Sequence, residues 1–244
     1  MAKVIVAGAG INGVSSAIWL QRAGHEVVLI DREGPASGTS YGNAGVLAAG
    51  SIIPITTPGL LAKIPKMLLA PNAPLFVRWK YLPKAFPFLT KYLSYANSKH
   101  VKLYAKVMSK LLYDSVEQHR ALAKGTGAEK YISNDDYYFG YETKAAFDAD
   151  AFAWDIRKQN GVSFEVLNKN EFESLDNIYK NKFEVIVANK NHGKISDPGA
   201  YIKKLAQHFE DNGGLFIKSN VTDLIEKGKS LIGLKTDGED VFAD

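Results

Sequence analysis

Residues 3–13 read Lys3-Val4-Ile5-Val6-Ala7-Gly8-Ala9-Gly10-Ile11-Asn12-Gly13. An apolar-periodic stretch follows from Val14 to Ala23, then Glu26-Val27-Val28-Leu29-Ile30-Asp31. A β-branched run that passes into G-x-G-x-x-G and then into helical periodicity predicts a strand, a tight turn and a helix. The second run predicts a parallel strand closing on an acid. Gly8 permits the sharp turn, Gly10 lets the backbone approach a pyrophosphate, and Gly13 lets the helix pack close to the strand. The helix N-terminus supplies free N–H groups and a positive dipole end for phosphates. Asp31 stands where a carboxylate accepts hydrogen bonds from ribose hydroxyls. Ile11 and Asn12 in the first turn and Arg32 beside the acid complete this set of candidate cofactor contacts. An acid at position 31 disfavours a 2′-phosphate and so argues against NADP. The motif alone leaves FAD and NAD open.

Working outward, 244 residues are enough for a large core and for one or two domains. The composition, 46% hydrophobic and 23% charged, is that of an ordinary globular protein. Met1-Ala2-Lys3 leads straight into the first strand, so no signal peptide is expected. No apolar run is long enough to span a bilayer. Cysteine is absent, which excludes disulfides, cysteinyl iron–sulfur clusters and a flavin bonded to cysteine. His25, His100, His119, His192 and His208 are scattered, with no metal-ligand spacing, and read as surface or packing residues.

Charge is segregated. From Gly34 to Tyr113 there is no Asp or Glu, while Lys63, Lys66, Arg78, Lys80, Lys84, Lys91, Lys99, Lys102, Lys106 and Lys110 are all basic. That window is +10 in a chain whose net charge is +4, leaving −6 for the rest. Such asymmetry points to an anionic partner.

After Asp31 comes a small-residue loop, Gly34 to Gly45, then a stretch rich in apolar, aromatic and basic residues. Seven of the nine prolines lie between Pro54 and Pro87, which breaks it into short pieces. Helical spacing of Val101, Leu103 or Tyr104, Met108, Leu111 or Leu112 and Val116 predicts a helix over about 96–124. Residues 130–142 read as a strand or hairpin, 144–160 as a helix ended by Gly161, 162–167 as a strand, 168–175 as a turn or two of helix, and 183–188 as a strand. Asp197-Pro198 opens a helix as N-cap and first helical residue, and Asn212-Gly213-Gly214 stops it. Three short strands follow: 215–218, 221–226 and 231–236. The third strand of the nucleotide sheet is therefore delayed until about Leu215, behind a long insertion. An NAD-binding domain would continue directly with further βα units.

These residues resemble the D-amino-acid oxidase superfamily of FAD-dependent oxidoreductases, and within it most closely the D-amino-acid dehydrogenases. The resemblance rests on Val4 to Val14, Asp31, the loop Ala36-Ser37-Gly38-Thr39-Ser40-Tyr41-Gly42-Asn43-Ala44-Gly45, and Gly193 to Pro198 with the helix after it. It implies an α/β fold, α+β overall: a Rossmann-like FAD-binding domain interleaved with a substrate domain. The expected division is 1–50 and 191–244 for the FAD domain and 51–190 for the insertion. It further implies that Gly8, Gly10 and Gly13 hold the pyrophosphate and Asp31 the adenosine ribose. Ser37, Thr39 and Ser40 would reach phosphate or ribityl oxygens, Asn43, Ala44 and Gly45 would lie beside the flavin ring, and Val221 would present its backbone to the adenine. Members of the family are considerably longer. Nothing after Thr236 matches their further strand or the half that supplies a substrate-binding arginine, so the chain is expected to lack part of its substrate site.

The implied reaction is oxidation of an amino acid's C–N bond by hydride transfer to the flavin. The cofactor does the hard step, and the protein supplies position and electrostatics. No dyad or triad is visible, and catalytic residues are left unassigned. Tyr41, Tyr137 and Tyr138 are weighed against substrate and assigned to packing. The partners expected are an amino-acid substrate and, through the basic and apolar 51–113 region, a quinone or an anionic membrane surface. Leu60, Leu61, Met67, Leu68, Leu69, Phe76, Trp79, Phe86 and Phe88 there alternate with the cations. The expected location is the cytoplasm or, peripherally, the inner membrane face. No nucleic-acid module and no metal site are seen. The alternatives are an NAD-linked dehydrogenase and a non-catalytic dinucleotide-binding module.

Overall fold

The computed structural model describes residues 1–69, 77–175 and 180–243, with the backbone alone for Lys63, Lys66, Leu69 and Leu175. Phe76 of the basic window lies outside the described residues. In chain order the first elements are β1 (Lys3–Ala7), α1 (Ile11–Arg22), β2 (Glu26–Asp31), β3 (Val46–Leu47), α2 (Leu60–Leu69), α3 (Leu82–Ser94), α4 (Ser98–Leu112) and α5 (Ser115–Ala123). Then come β4 (Ile132–Asn134), β5 (Tyr137–Tyr141), α6 (Lys144–Ala149), α7 (Ala151–Gln159), β6 (Phe164–Leu167), α8 (Lys169–Leu175) and β7 (Val185–Asn189). The last are β8 (Gly193–Ile195), α9 (Pro198–Asp211), β9 (Leu215–Lys218), β10 (Val221–Lys227), β11 (Ser230–Thr236) and β12 (Val241–Phe242).

Two compact units result. The first comprises Met1–Leu47, Val116–Asp135 and Gly193–Asp244; the second comprises Ala48–Ser115 and Asp136–His192. Residues 116–135, which the sequence leaves inside the insertion, pack with the first unit. Val116, Leu122, Ala123 and Ala128 are buried in the same cluster as α1 and α9, and the Arg22 guanidinium donates to the carbonyls of Ala121 and Leu122 at 3.0 and 2.9 Å.

The first unit is layered. Its parallel sheet runs β1-β2-β9, with Lys3 opposite Glu26 and Val28 opposite Leu215, so the delayed third strand is the one that begins at Leu215. On one face, Val14, Ala17 and Ile18 of α1 and Tyr201, Leu205 and Phe209 of α9 close over Val27 and Leu29. On the other, Val28 and Ile30 pack against Leu234 and Val241 of the antiparallel meander β10-β11-β12. Alternate β2 residues thus feed opposite layers, as the two-residue period of a strand requires. A small antiparallel sheet, β3-β8-β4, ties the small-residue loop to the start of α9.

The second unit is built on the antiparallel sheet β5-β7-β6, whose central strand β7 is buried along its whole length. Trp154 of α7 packs with Val185 and Val187, while Val101 and Ala105 of α4 pack with Ile52 and Ile156. The helix expected over 96–124 is broken at Tyr113 and Asp114 into α4 and α5, and Leu112 rather than Leu111 turns inward. The helix expected over 144–160 is broken at Asp150. Its carboxylate accepts from the Tyr141 hydroxyl at 2.7 Å and caps neither neighbour. Residues 130–142 do not form a hairpin: β4 pairs with β8 and β5 pairs with β7.

Candidate cofactor site

The turn after β1 is fixed by backbone geometry. Gly8 has φ +99, where a side chain would be strained, and its N–H donates to the Ile30 carbonyl at 2.7 Å. Gly13 answers a different need: a Cβ there would lie 1.7 Å from the Gly8 carbonyl oxygen, so only glycine lets α1 start this close to the strand. Gly10 is the N-cap residue and offers no side-chain cap; the first turn carries no acid. The first N–H groups of a helix have no partner within it. Ile11 finds one from 29 residues away, donating to Ser40 Oγ at 3.1 Å. Asn12 is exposed on the same turn.

Asp31 closes the cradle. Its Oδ2 accepts from the Ala9 N–H at 2.8 Å, and its Oδ1 accepts from the Glu33 and Gly34 N–H groups at 2.8 and 2.9 Å. Partial burial pulls its carboxyl upward, but these three donors, with the Arg32 charge, outweigh it and hold it below the usual carboxylate range. A carboxylate has about four lone-pair positions, so Oδ1 is filled and Oδ2 keeps one acceptor position for a hydroxyl. Arg32 is itself exposed and 3.7 Å from Glu33.

The small-residue loop is held by clips of its own. Ala36 adopts φ +59 and donates to the Ala9 carbonyl at 3.0 Å. Asn43 Oδ1 accepts from Gly45 N–H at 2.9 Å, while its amide nitrogen lies 3.4 and 3.3 Å from the Thr39 and Ser40 carbonyls. Gly45 has φ +66, and its carbonyl accepts from Ile195 N–H at 2.7 Å. A Cβ there would fall 2.1 Å from the Ile195 oxygen. Ser37, Thr39, Asn43 and Ala44 are exposed, whereas Ser40 is buried by its capping role.

The structure therefore brings Gly8, Gly10, Ile11, Gly13, Asp31 and Ser40 into one bonded cluster, with Asn43 and Gly45 beside it. Val221 opens β10 and packs against Val28 and Ile30 on the sheet's far layer, two residues after Ser219, whose N–H donates to the Asp31 carbonyl at 3.1 Å. Tyr41 lies against Gly199, and Tyr137 stacks on His192 at 5.7 Å. Among the described residues no cluster of His, Cys, Asp and Glu could hold a metal.

Sequence reasoning missed His119 and Tyr201. Tyr201 is fully buried, with its hydroxyl 3.0 Å from His119 Nδ1, across 82 residues of chain. No local pattern signals such a pair.

A dinucleotide fits this arrangement: open helix-terminal N–H groups, a backbone that only glycine permits, and an acid with one acceptor position to spare. The family model described as FAD dependent oxidoreductase, DAO, matches residues 3–244. The chain is 36% identical over 244 residues to a D-amino-acid oxidase of Bradyrhizobium diazoefficiens, covering 99% of this chain and 58% of that protein. It is 25% identical over 245 residues to a D-amino acid dehydrogenase of Helicobacter pylori, with the same two shares. Among solved structures, glycine oxidase from Bacillus cereus matches with TM-score 0.64 at 15% identity, over 99% of this chain and 54% of that one. L-amino acid deaminase from Proteus vulgaris matches with TM-score 0.65 at 13% identity, over 99% and 51%. These likenesses show the fold. The chain spans a little over half the length of the curated relatives it matches over its whole length.

Proposed function

The chain belongs to this family of FAD-dependent oxidoreductases, and on that premise we propose that it takes part in oxidising the C–N bond of a D-amino acid. The observation that carries the reading is Asp31 at the end of β2, saturated on one oxygen and open on the other, beside the first turn of α1, whose N-cap residue Gly10 supplies no side-chain cap. Asp31 would bind the adenosine ribose, and Gly10, Ile11, Asn12 and Gly13 the pyrophosphate. Ser37 and Thr39 are exposed and free to reach phosphate or ribityl oxygens. Asn43, Ala44 and Gly45 would border the ring, and Val221 would offer backbone to the adenine. When bound, FAD supplies the hydride acceptor for the α-hydrogen, giving an imino acid that water hydrolyses to a 2-oxo acid and ammonia. The first unit would be the FAD domain and the second would contribute to the substrate domain.

The test is a visible spectrum of the purified chain with added FAD, then denaturation to release the chromophore, then anaerobic addition of D- and L-amino acids. The expected result is a yellow protein with releasable flavin whose bands bleach with D-amino acids. A chain that rejects FAD but binds NADH would overturn the cofactor reading. Bleaching by L-amino acids alone would overturn the substrate class.

A specific surface favours an anionic membrane as a partner. Helix α3 buries no residue; Trp79 is 69%, Phe86 61% and Phe88 67% exposed, among Lys80, Lys84 and Lys91. Helix α4 turns Val101 and Ala105 inward and leaves Leu103, Val107 and Leu111 exposed, beside a strip of Lys99, Lys102, Lys106 and Lys110. Apolar side chains bordered by lysines suit an anionic lipid surface, where each cation contributes about 1 kcal/mol. No helix among the described residues is long and apolar enough to cross a membrane. Co-sedimentation with anionic liposomes and not with neutral ones is expected; equal weak binding to both would reject this.

A further inference from the structure

A cavity of about 180 Å³ lies between the first residues of α1 and α9. Its lining includes Ile11, Asn43 and Gly45, which the cofactor reading already uses, and His119 and Tyr201, which it does not. The remaining walls are mostly aliphatic, with no lysine or arginine. Away from the Ile11 turn that lining offers a phosphate few hydrogen-bond donors. It suits the edge of a flat, apolar ring bearing a hydrogen-bond acceptor.

The donor for such an acceptor follows from the His119–Tyr201 pair. Burial pushes the Tyr201 hydroxyl up, so it stays protonated and donates. Burial also pushes His119 down, so its ring is neutral at neutral pH. The Tyr201 hydroxyl lies 3.0 Å from His119 Nδ1 and 3.4 Å from the His119 carbonyl. In the tautomer in which the Tyr201 hydroxyl donates to Nδ1, the imidazole's own proton sits on Nε2. Nε2 has no hydrogen-bond partner among the described residues. The Asn43 amide is already engaged with the Gly45 N–H and the Thr39 and Ser40 carbonyls.

We infer that His119 is a further cofactor-binding residue: its Nε2–H, oriented by Tyr201, donates to the ring end of the dinucleotide, whose edge enters this cavity. The inference rests on the FAD reading above and adds to it the one group that contacts the ring from α5 rather than from the glycine turn or the small-residue loop.

The test compares FAD and ADP affinity, by flavin fluorescence and by competition, for the unaltered chain and for His119→Leu, His119→Gln and Tyr201→Phe. One lost hydrogen bond predicts FAD binding weakened about five- to tenfold in His119→Leu. His119→Gln places an amide N–H near the Nε2 position and should stay within about threefold of the unaltered chain, and Tyr201→Phe should lose about two- to threefold. ADP affinity should be unchanged in all three, and the visible bands of bound FAD should shift in His119→Leu but not in His119→Gln. Burial favours leucine, so a purely structural role would leave Leu at least as good as Gln. Unchanged FAD affinity in His119→Leu, or ADP affinity falling in parallel, overturns the inference while leaving the FAD reading intact. An unaltered chain that binds ADP but no FAD overturns both.

Discussion

In the first unit the polar groups around Asp31 and Ser40 are matched one by one to backbone N–H groups. In the second, Arg157 and Asn189 are buried with polar atoms that bond to nothing. Asn189 is 0% exposed at the end of β7, and neither amide atom has a partner. Arg157 is 7% exposed, with Nε and Nη1 unpartnered; its guanidinium lies 4.4 Å from the Trp154 ring centre and 5.1 Å from that of Phe139. Ring faces attract a cation but accept few of its protons. Burial pulls Arg157 down, against the opposing charge of Asp150. Hydrogen bonds in the first unit follow from a chain that turns twice within a few residues. Polar burial in the second follows from which helix happens to cover which strand. The first kind of site has its hydrogen bonds made before any ligand arrives; the second carries a standing cost.

The largest effect that would sharpen this contrast is at Gly13. A Cβ 1.7 Å from the Gly8 carbonyl cannot be relieved by a rotamer, since both atoms are backbone-fixed. Gly13→Ala should cost at least about 3 kcal/mol in denaturant unfolding and abolish FAD binding. Gly42, which has nothing within 4 Å of its Cβ position, is the control, and Gly42→Ala should stay within about 0.5 kcal/mol. Equal effects at the two glycines would break the claim that close approach, rather than loop flexibility, builds the cradle.

Asp31→Asn comes next. It replaces charge-assisted bonds from Ala9, Glu33 and Gly34 and turns an amide NH₂ toward at least one of these donors, so a loss of about 1.5–3 kcal/mol at neutral pH is expected. The carboxyl is lowered in the folded state, so its contribution is present above the ordinary value of 3.8 and is lost as pH falls through the lower folded value. The gap between the two proteins should therefore close only in acid below 3.8. A gap that closed above that would mean the carboxyl is not held down.

Asn189→Leu tests the second unit with the opposite sign. Removing an unsatisfied amide while keeping its volume should leave stability unchanged or raise it by about 1–2 kcal/mol. A loss of that size would show that the amide has a partner, an ordered water or a ligand.

What was legible in the sequence follows the same division. The segment β1-α1-β2, the delayed strand at Leu215 and α9 with its Asp197 cap were readable because every signal they need lies within a few residues. The sheet β3-β8-β4 was not: its strands are two and three residues long, and Val46 pairs with Lys194 across most of the chain. Periodicity needs a longer window than that. The break at Asp150 was hidden because it depends on Tyr141 reaching across from β5. Residues 116–135 looked like part of the insertion because nothing local shows that Leu122 and Ala123 pack on the cluster of α1 and α9. In the candidate site, the glycines and Asp31 announced themselves, while Ser40 as the partner of Ile11 and His119 as the partner of Tyr201 needed the fold to bring them together.

The smallest prediction compares one local device in both units. Asp197 caps α9 by accepting from Ala200 N–H at 2.9 Å, and Asn97 caps α4 by accepting from His100 N–H at 3.1 Å. Each satisfies one N–H that its helix cannot, so Asp197→Ala and Asn97→Ala should each cost about 1 kcal/mol in unfolding free energy. The value should match despite the difference in surroundings, because a cap is a local bond at a helix end and draws little on the packing beneath it. A cost at Asn97 well beyond that at Asp197 would locate part of the second unit's stability in the side-chain contacts of Asn97 with the His100 ring and the Ser94 carbonyl. The second unit would then hold its polar groups by networks after all, and the orphaned Arg157 and Asn189 would stand as exceptions within it rather than as its rule.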